Sequence, residues 1–310
     1  MSSVGEEYDP ALGQLQLARM SAQQHLSLKR EVGALITPML EVVFIPNVKK
    51  LSYADVDVLV NNSIDETYSV TTSIFGKPKN KNDRCLSFVY GGFQVDIISI
   101  HGLPTAELFY SNNSGMLFHL MAQKTPFSLG TAGFLIEKPL GGKFCLSPNN
   151  FKILEFLGIP RTILQNDLTP EELFTLLALS PFYDPTRVVV DQRKLLSRVV
   201  VTEFIKFCQT TPKSSGPLPS IEEALAFFGK AGEYHALVTE EQRSKDRENK
   251  QGNVKKELSA AITLAGIKGK DVKTHFDAFK AWIERIKGTS YEDWAQTDPN
   301  VAEAFAEYRQ

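Results

Sequence analysis

Cysteine is scarce in this 310-residue chain. The three residues, Cys85, Cys145 and Cys208, lie far apart and show no C-x-x-C spacing. That argues against a disulfide framework or a sequence-local zinc knuckle and fits a reducing compartment. Long apolar runs are missing too. No stretch approaches the roughly 18 apolar residues of a membrane span, and the first thirty residues carry no continuous apolar segment of the signal-peptide kind. The expectation is a soluble, intracellular (cytoplasmic) protein with no membrane partner. His101, His119 and His275 are scattered, without H-x-x-x-H or H-E-x-x-H spacing, which argues against a histidine zinc site. There is no G-x-S-x-G and no P-loop, so the commonest hydrolase and NTPase classes are disfavoured. An excess of either charge is also absent. The formal net charge is −2, which excludes wholesale coating of nucleic acid but leaves room for a locally basic groove. No internal repeat indicates a solenoid.

What is present is core material. Hydrophobic residues make up 43% of the chain and include twenty Phe, enough at this length for two modules. After a polar start over 1–10, a loose apolar stripe predicts a helix over 11–34. Val-rich or alternating runs predict strands over 40–45, 56–60, 69–74, 86–90 and 94–100, with Gly91-Gly92 as a hairpin turn between the last two. The pattern turns helical from Ser114, with 128–131 read as a turn and 134–136 as a short strand before the Gly141-Gly142 turn. Beyond Pro148 the chain reads as helical over 151–157, 170–179, 192–207 and 220–228. Thr169-Pro170-Glu171-Glu172 supplies cap, first-turn Pro and first-turn acids. A Pro/Ser/Gly-rich linker is expected over 210–219, a charged helix over 239–260, and two helices over 257–286 around Gly266 to Gly269. The expected organisation is a front module, 1–148, and a mainly helical module, 149–310.

The chemistry is concentrated in Ala54-Asp55-Val56-Asp57-Val58-Leu59-Val60. On a strand, Asp55 and Asp57 share one face while Val56, Val58 and Val60 share the other. The acids' Cα atoms then lie roughly 6.5–7 Å apart, close enough to share one cation. Two such carboxylates repel each other unless a cation lies between them, and oxygen donors suit Mg²⁺ or Mn²⁺. A third acid, Asp96, alternates with Phe93, Val95 and Ile97 and faces away from them. If the two strands are neighbours, the three acids converge, and such a site can hold two ions about 3.5–4 Å apart for in-line displacement at phosphorus. The alternative is a solvated strand face without function.

This layout resembles the DNA-polymerase-β-like nucleotidyltransferase superfamily, which includes tRNA CCA-adding enzymes and poly(A) polymerases. The family pattern is a strand, a Gly-Ser turn, a D-h-D-h strand and a later h-D-h strand. Asp55 and Asp57 match the paired acids and Asp96 the third, over a stretch covering about 42–100. A looser resemblance to less-characterised members, some of them viral, extends to 114–134 and 154–158. The resemblance implies an α/β (α+β) palm with a mixed sheet, and a mainly helical C-terminal domain behind it. It implies that Asp55 and Asp57 ligate both metal ions, while Asp96 binds one and helps activate the attacking hydroxyl. The implied reaction is Mg²⁺- or Mn²⁺-dependent transfer of a nucleoside monophosphate from an NTP such as ATP. The acceptor expected is an RNA 3′ end, with a protein side chain or a small molecule as alternatives.

One departure stands out. Where the family carries Gly-Ser, this chain reads Ile45-Pro46-Asn47-Val48, and Pro46 has no N–H to give a phosphate. Lys49 and Lys50 are the expected substitutes for phosphate binding, with a solvated loop as the other reading. Ser52 lies in the same polar approach to the acids, and Asn112 falls where related enzymes contact base or sugar. Both are carried as nucleotide-binding candidates. The departure keeps a second hypothesis open, a catalytically degraded descendant that serves as a binding or scaffold partner. Lys77, Lys79, Lys81 and Arg84, and separately Arg187, Arg193, Lys194 and Arg198, are candidate contacts for a nucleic-acid backbone. Solvated surface is the alternative for each. Residues 264–270 weakly resemble a helix-hairpin-helix and also the tail turn of tRNA nucleotidyltransferases, with an ordinary inter-helix turn as the default.

Overall fold

Residues 19–188, 199–214, 216–269 and 271–310 are described by the computed structural model. The chain forms two compact units, Met1–Ala231 and Gly232–Gln310.

In the first unit, strand β1 (Met20–Ser21) leads into helix α1 (Ala22–Ile36). Ser21 accepts from the Gln24 N–H at 3.2 Å while the Gln24 side chain accepts from the Ser21 N–H at 2.8 Å, a reciprocal cap that starts the helix sharply. The part of the expected 11–34 helix before residue 19 lies outside the described residues. Strands β2 (Val42–Val43), β3 (Ser52–Tyr53) and β4 (Asp55–Val60) follow, then helix α2 (Ile64–Phe75) and strands β5 (Asn80–Lys81), β6 (Cys85–Tyr90) and β7 (Phe93–Ser99). They build a five-stranded mixed sheet in the order β2-β4-β7-β6-β5, with β4 and β7 parallel and the other pairs antiparallel. Gly91 and Gly92, at φ +59° and +83°, make the two-residue turn between β6 and β7, a conformation that a side chain would strain.

One face of the sheet is apolar. Val56, Val58, Val60, Leu86, Phe88, Val95 and Ile97 pack with Leu28, Val32 and Ile36 of α1, all buried, and with Tyr68, Val70, Ile74 and Phe75 of α2. The strand expected over 69–74 is therefore wrong, since it is the second half of α2. Its β-branched run misleads, because a helix is nucleated upstream. Ser63 accepts from the Glu66 N–H, and Asp65 and Glu66 occupy the first turn. Thr67 and Thr71 then donate their hydroxyls to carbonyls four residues back, at 2.7 and 2.6 Å.

Helices α3 (Ala106–Tyr110) and α4 (Ser114–Met121) lead to a three-stranded antiparallel sheet of β8 (Phe127–Gly130), β9 (Gly133–Glu137) and β10 (Lys143–Ser147). The turn expected over 128–131 is thus mostly strand β8, paired with β9 from Phe127–Ile136 to Gly130–Gly133. Helices α5 (Asn150–Leu157), α6 (Pro170–Ala178), α7 (Val199–Thr210) and α8 (Ile221–Phe228) complete the unit. The expected helix over 192–207 is described only from Val199.

The division at 231/232 replaces the boundary expected at 148/149. Helix α5, Phe182 and α8 share one aromatic cluster with α4, β8 and β9. Phe134 lies 5.7 Å from Phe156, 6.2 Å from Phe182 and 5.9 Å from Phe228, centroid to centroid. That shared core joins residues on both sides of Pro148 into one body.

The second unit holds α9 (Ala231–Leu264), α10 (Asp271–Lys287), α11 (Tyr291–Ala295) and α12 (Val301–Tyr308). Val254, Leu258 and Ile262 of α9 close a core around Phe279, Ile283, Trp294 and Phe305. The molecule is thus mixed α/β with a helical C-terminal region. No described helix is long and apolar enough to cross a membrane.

Candidate metal centre

Parallel pairing of β4 with β7 sets Asp57 directly opposite Asp96 and Asp55 opposite Gln94. Directly opposed residues project from the same face, so all three acids leave the sheet on the side away from α1 and α2. One carboxylate oxygen from each of Asp55, Asp57 and Asp96 lies within 4.8 Å of the others, and the group can hold a metal ion. Asp96 is buried and the other two are half-buried. The fully buried valines on the opposite face fix the strands, so the carboxylates are held by core packing.

Gln94 orients Asp96. Its Nε2 donates to both carboxylate oxygens at 3.1 Å. On the other side of Asp96, Ser87 of β6 is its direct cross-strand partner. The Ser87 hydroxyl is close enough to favour the ionised acid, yet it is buried and makes no hydrogen bond of good geometry in the protein. Burial pushes the Asp57 carboxyl up to about 7, with Asp55 and Asp96 adding repulsion and Lys29 and Lys50 opposing it. Burial also pushes Asp96 up to about 6, with Asp55 contributing and Ser87 and Gln94 pulling the other way. A hard dication would oppose these shifts by favouring the ionised carboxylates, and three oxygen donors close together are what Mg²⁺ or Mn²⁺ takes. The donor set fits such an ion.

Beyond the acids the same face becomes apolar. Ile45, Leu59, Ile98, Ile100 and Ala106 pack together, with Tyr110 at their margin. Burial, and then the charge of Asp57, raise the Tyr110 phenol above its ordinary value, which places this ring within electrostatic reach of the centre.

The segment between β2 and β3 is pinned by its own backbone. Asn47 N donates to Asp167 Oδ1 at 2.7 Å, Lys49 N to the Leu168 carbonyl at 2.7 Å and Lys50 N to the Tyr53 hydroxyl at 2.9 Å. Those three N–H groups are committed inside the protein, and Pro46 has none.

The four expected nucleotide-binding residues separate. Lys50 is half-buried, with Nζ 5.7 Å from the Tyr53 ring centroid, and its charge acts on Asp57. Lys49 is exposed and its charge acts on Glu172. Ser52 accepts a hydrogen bond from Arg19 Nε at 3.0 Å. Asn112 is fully buried. Its Nδ2 donates to the Ile163 and Asn166 carbonyls at 2.9 and 3.0 Å, and its Oδ1 accepts from Leu168 N at 3.3 Å. The Asn112 amide ties one loop to another, so its expected contact with base or sugar is corrected to a structural one.

Two residues absent from the sequence reading belong to this neighbourhood. Lys29 is only 6% exposed and donates from Nζ to the Ile45 carbonyl at 3.1 Å. His25, one turn earlier, stacks on Tyr53 at 4.0 Å between centroids. Burial, and then the charges of Lys29 and Lys50, hold His25 down at about 4, so it is neutral near pH 7. A signal existed: both residues lie on the buried stripe of α1, with Leu28, Val32 and Ile36.

The basic run beside β5 stays at the surface, whereas Arg187 is partly buried. Lys77, Lys79, Lys81 and Arg84 are exposed around β5, with Lys81 over the Tyr68 ring. Arg187 pairs with Asp184 at 3.5 Å and donates to the Phe182 carbonyl. Arg193, Lys194 and Arg198 lie outside the described residues. Residues 265–269 form a turn between α9 and α10, with Gly266 and Gly269 at positive φ.

No protein-family model matches this chain, and no curated protein matches it in sequence.

Proposed function

We propose that this chain is a divalent-metal-dependent nucleotidyltransferase built on a palm of the DNA-polymerase-β type. The observation that carries the reading is the Asp57–Asp96 register of two parallel strands, which gathers Asp55, Asp57 and Asp96 on the face away from α1 and α2. Asp55 and Asp57 are the residues to hold two Mg²⁺ or Mn²⁺ ions, with Asp96 holding one. Bound there, such ions would neutralise the triphosphate and make the acceptor hydroxyl more acidic. The acceptor oxygen attacks the α-phosphorus of the NTP, the bond to the leaving pyrophosphate breaks, and the hydroxyl proton passes to Asp96 or to water. Gln94 keeps Asp96 in one orientation for that step. The acceptor class is an RNA 3′ end, with protein hydroxyls and small molecules as the alternatives.

A second reading has one observation in its favour. The backbone N–H groups of Asn47, Lys49 and Lys50 are already satisfied, as in a protein that keeps the fold for binding without turnover. Incubation with α-labelled NTPs, Mn²⁺ or Mg²⁺, and an RNA pool separates the two. Transfer of label by the wild type and none by Asp57→Asn supports the enzyme. No transfer by the wild type to RNA, protein or small-molecule acceptors favours the binding protein.

A further inference from the structure

A metal centre that receives a triphosphate needs cationic donors besides the metal, because the ligand's charge exceeds what a carboxylate-held ion neutralises. The segment at residues 46–50 offers few. Three of its N–H groups are committed inside the protein and Pro46 has none.

Lys29 is different. Its side chain rises from α1 among the buried residues of that helix's inner face. A lysine ammonium carries three N–H donors. Among the described residues, one hydrogen bond is made, to the Ile45 carbonyl, and no carboxylate lies within ion-pair distance. Burial lowers its pKa, and Asp57 and Asp167 are the acids near enough to oppose that. Its other charged neighbour adds no relief, since the positive charges of Lys29 and Lys50 both act on the neutral His25. A buried, under-bonded ammonium is costly unless something anionic completes it.

We propose that Lys29 is the cation that receives the phosphate tail of the metal-bound ligand, with Lys50 beside it. The ligand class is an inorganic or nucleoside polyphosphate. Such a ligand is complementary to both halves of the site at once. Its oxygens would complete the coordination of ions held by Asp55, Asp57 and Asp96, and the same chain of phosphates would extend to the Lys29 ammonium, whose charge is felt at Asp57. The inference deepens the nucleotidyltransferase reading and rests on it for the metal-bound nucleotide, but it identifies a residue that the acidic motif does not contain. It also explains why a lysine occupies a position in α1 where its neighbours on the inner face, Leu28 and Val32, are apolar.

The test uses the full chain, Mn²⁺ and inorganic tripolyphosphate, with Lys29→Met and Lys29→Gln. Met keeps the volume and removes the charge. Gln removes the charge and retains a donor for the Ile45 carbonyl, so it serves if the Met variant fails to fold. Mn²⁺ binding alone is expected to be unchanged or tighter, because a positive charge near Asp57 has been removed. Binding of tripolyphosphate in the presence of Mn²⁺ is expected to weaken by about tenfold or more, the loss of a charged hydrogen bond. Lys29→Arg is expected to restore part of that loss. Loss of tripolyphosphate binding without loss of Mn²⁺ binding is what a merely structural lysine would not produce. Equal tripolyphosphate affinity in wild type and Lys29→Gln overturns the proposal, as does a parallel loss of Mn²⁺ and tripolyphosphate binding. Lys29-dependent tripolyphosphate binding without label transfer from any NTP would leave this site standing and remove the transferase reading.

Discussion

The two faces of the β4–β7 pair are made from alternate residues of the same strands, and they behave as opposites. On one face Val56, Val58, Val60, Val95 and Ile97 are no more than 1% exposed and lock against two helices. On the other, Asp55, Asp57 and Asp96 converge, and burial raises the pKa of two of them. The first face stabilises the fold, and the second, as a cluster of buried and half-buried carboxylates, works against it. Strain of this kind is tolerated where the surrounding core over-determines the backbone. The contrast is what an assigned function has to explain.

The largest effect should come from breaking the apolar face. Val58→Asp places a carboxylate in a fully packed interior and should cost more than about 4 kcal/mol, abolishing cooperative unfolding by circular dichroism. The same chemistry reversed on the other face should do the opposite. Asp57→Asn is expected to raise the unfolding free energy of the metal-free protein by about 1 kcal/mol, read from the denaturant midpoint, and to remove the stabilisation expected from Mn²⁺ in the wild type.

The pH dependence sharpens the contrast. Asp57 and Asp96 have folded-state pKa values above their ordinary 3.8. Between about pH 4 and 7 the folded state therefore binds more protons than the unfolded chain, and stability falls as pH rises. Thermal melts without metal should show a declining midpoint across that window, and Mg²⁺ or Mn²⁺ should flatten it. A midpoint that rises with pH in the same window would mean that other carboxylates dominate. The smallest effect concerns the lysine pair. Lys50→Ala is expected to weaken Mn²⁺–NTP binding by about 1 kcal/mol and Lys49→Ala by less than about 0.5, measured by titration of nucleotide at fixed Mn²⁺. Of these two lysines, only Lys50 acts on Asp57.

The acidic centre was readable because strand alternation is local. The D-x-D spacing and the isolated Asp96 between Val95 and Ile97 state their facing without tertiary information. What the alternation leaves open is the pairing, and the parallel β4–β7 register depends on a crossover through α2, which was misread as a strand. Val70, Thr71, Thr72 and Ile74 look extended by composition, whereas the Ser63 cap and the acids after it decide the element. The structural role of Asn112 is hidden in the sequence because the three partners of its side-chain amide lie 51 to 56 residues away. Lys29 was overlooked for the converse reason: a lysine on an apolar stripe is a local signal, and its meaning appears only when Ile45 and Asp57 come to it. The module boundary was misplaced because helical composition changes at Pro148, while the aromatic core does not.

Calorimetric titration of Mn²⁺ into the metal-free protein, in two buffers of different ionisation enthalpy, tests the centre most directly. With Asp57 and Asp96 raised to about 7 and about 6, metal binding at pH 6 must expel protons, and at pH 8 it should expel almost none. Asp96→Asn should weaken the binding by at least about tenfold and reduce the protons released at pH 6. Binding that is indifferent to Asp96→Asn, or no binding heat at millimolar Mn²⁺, would contradict a metal centre at these three aspartates.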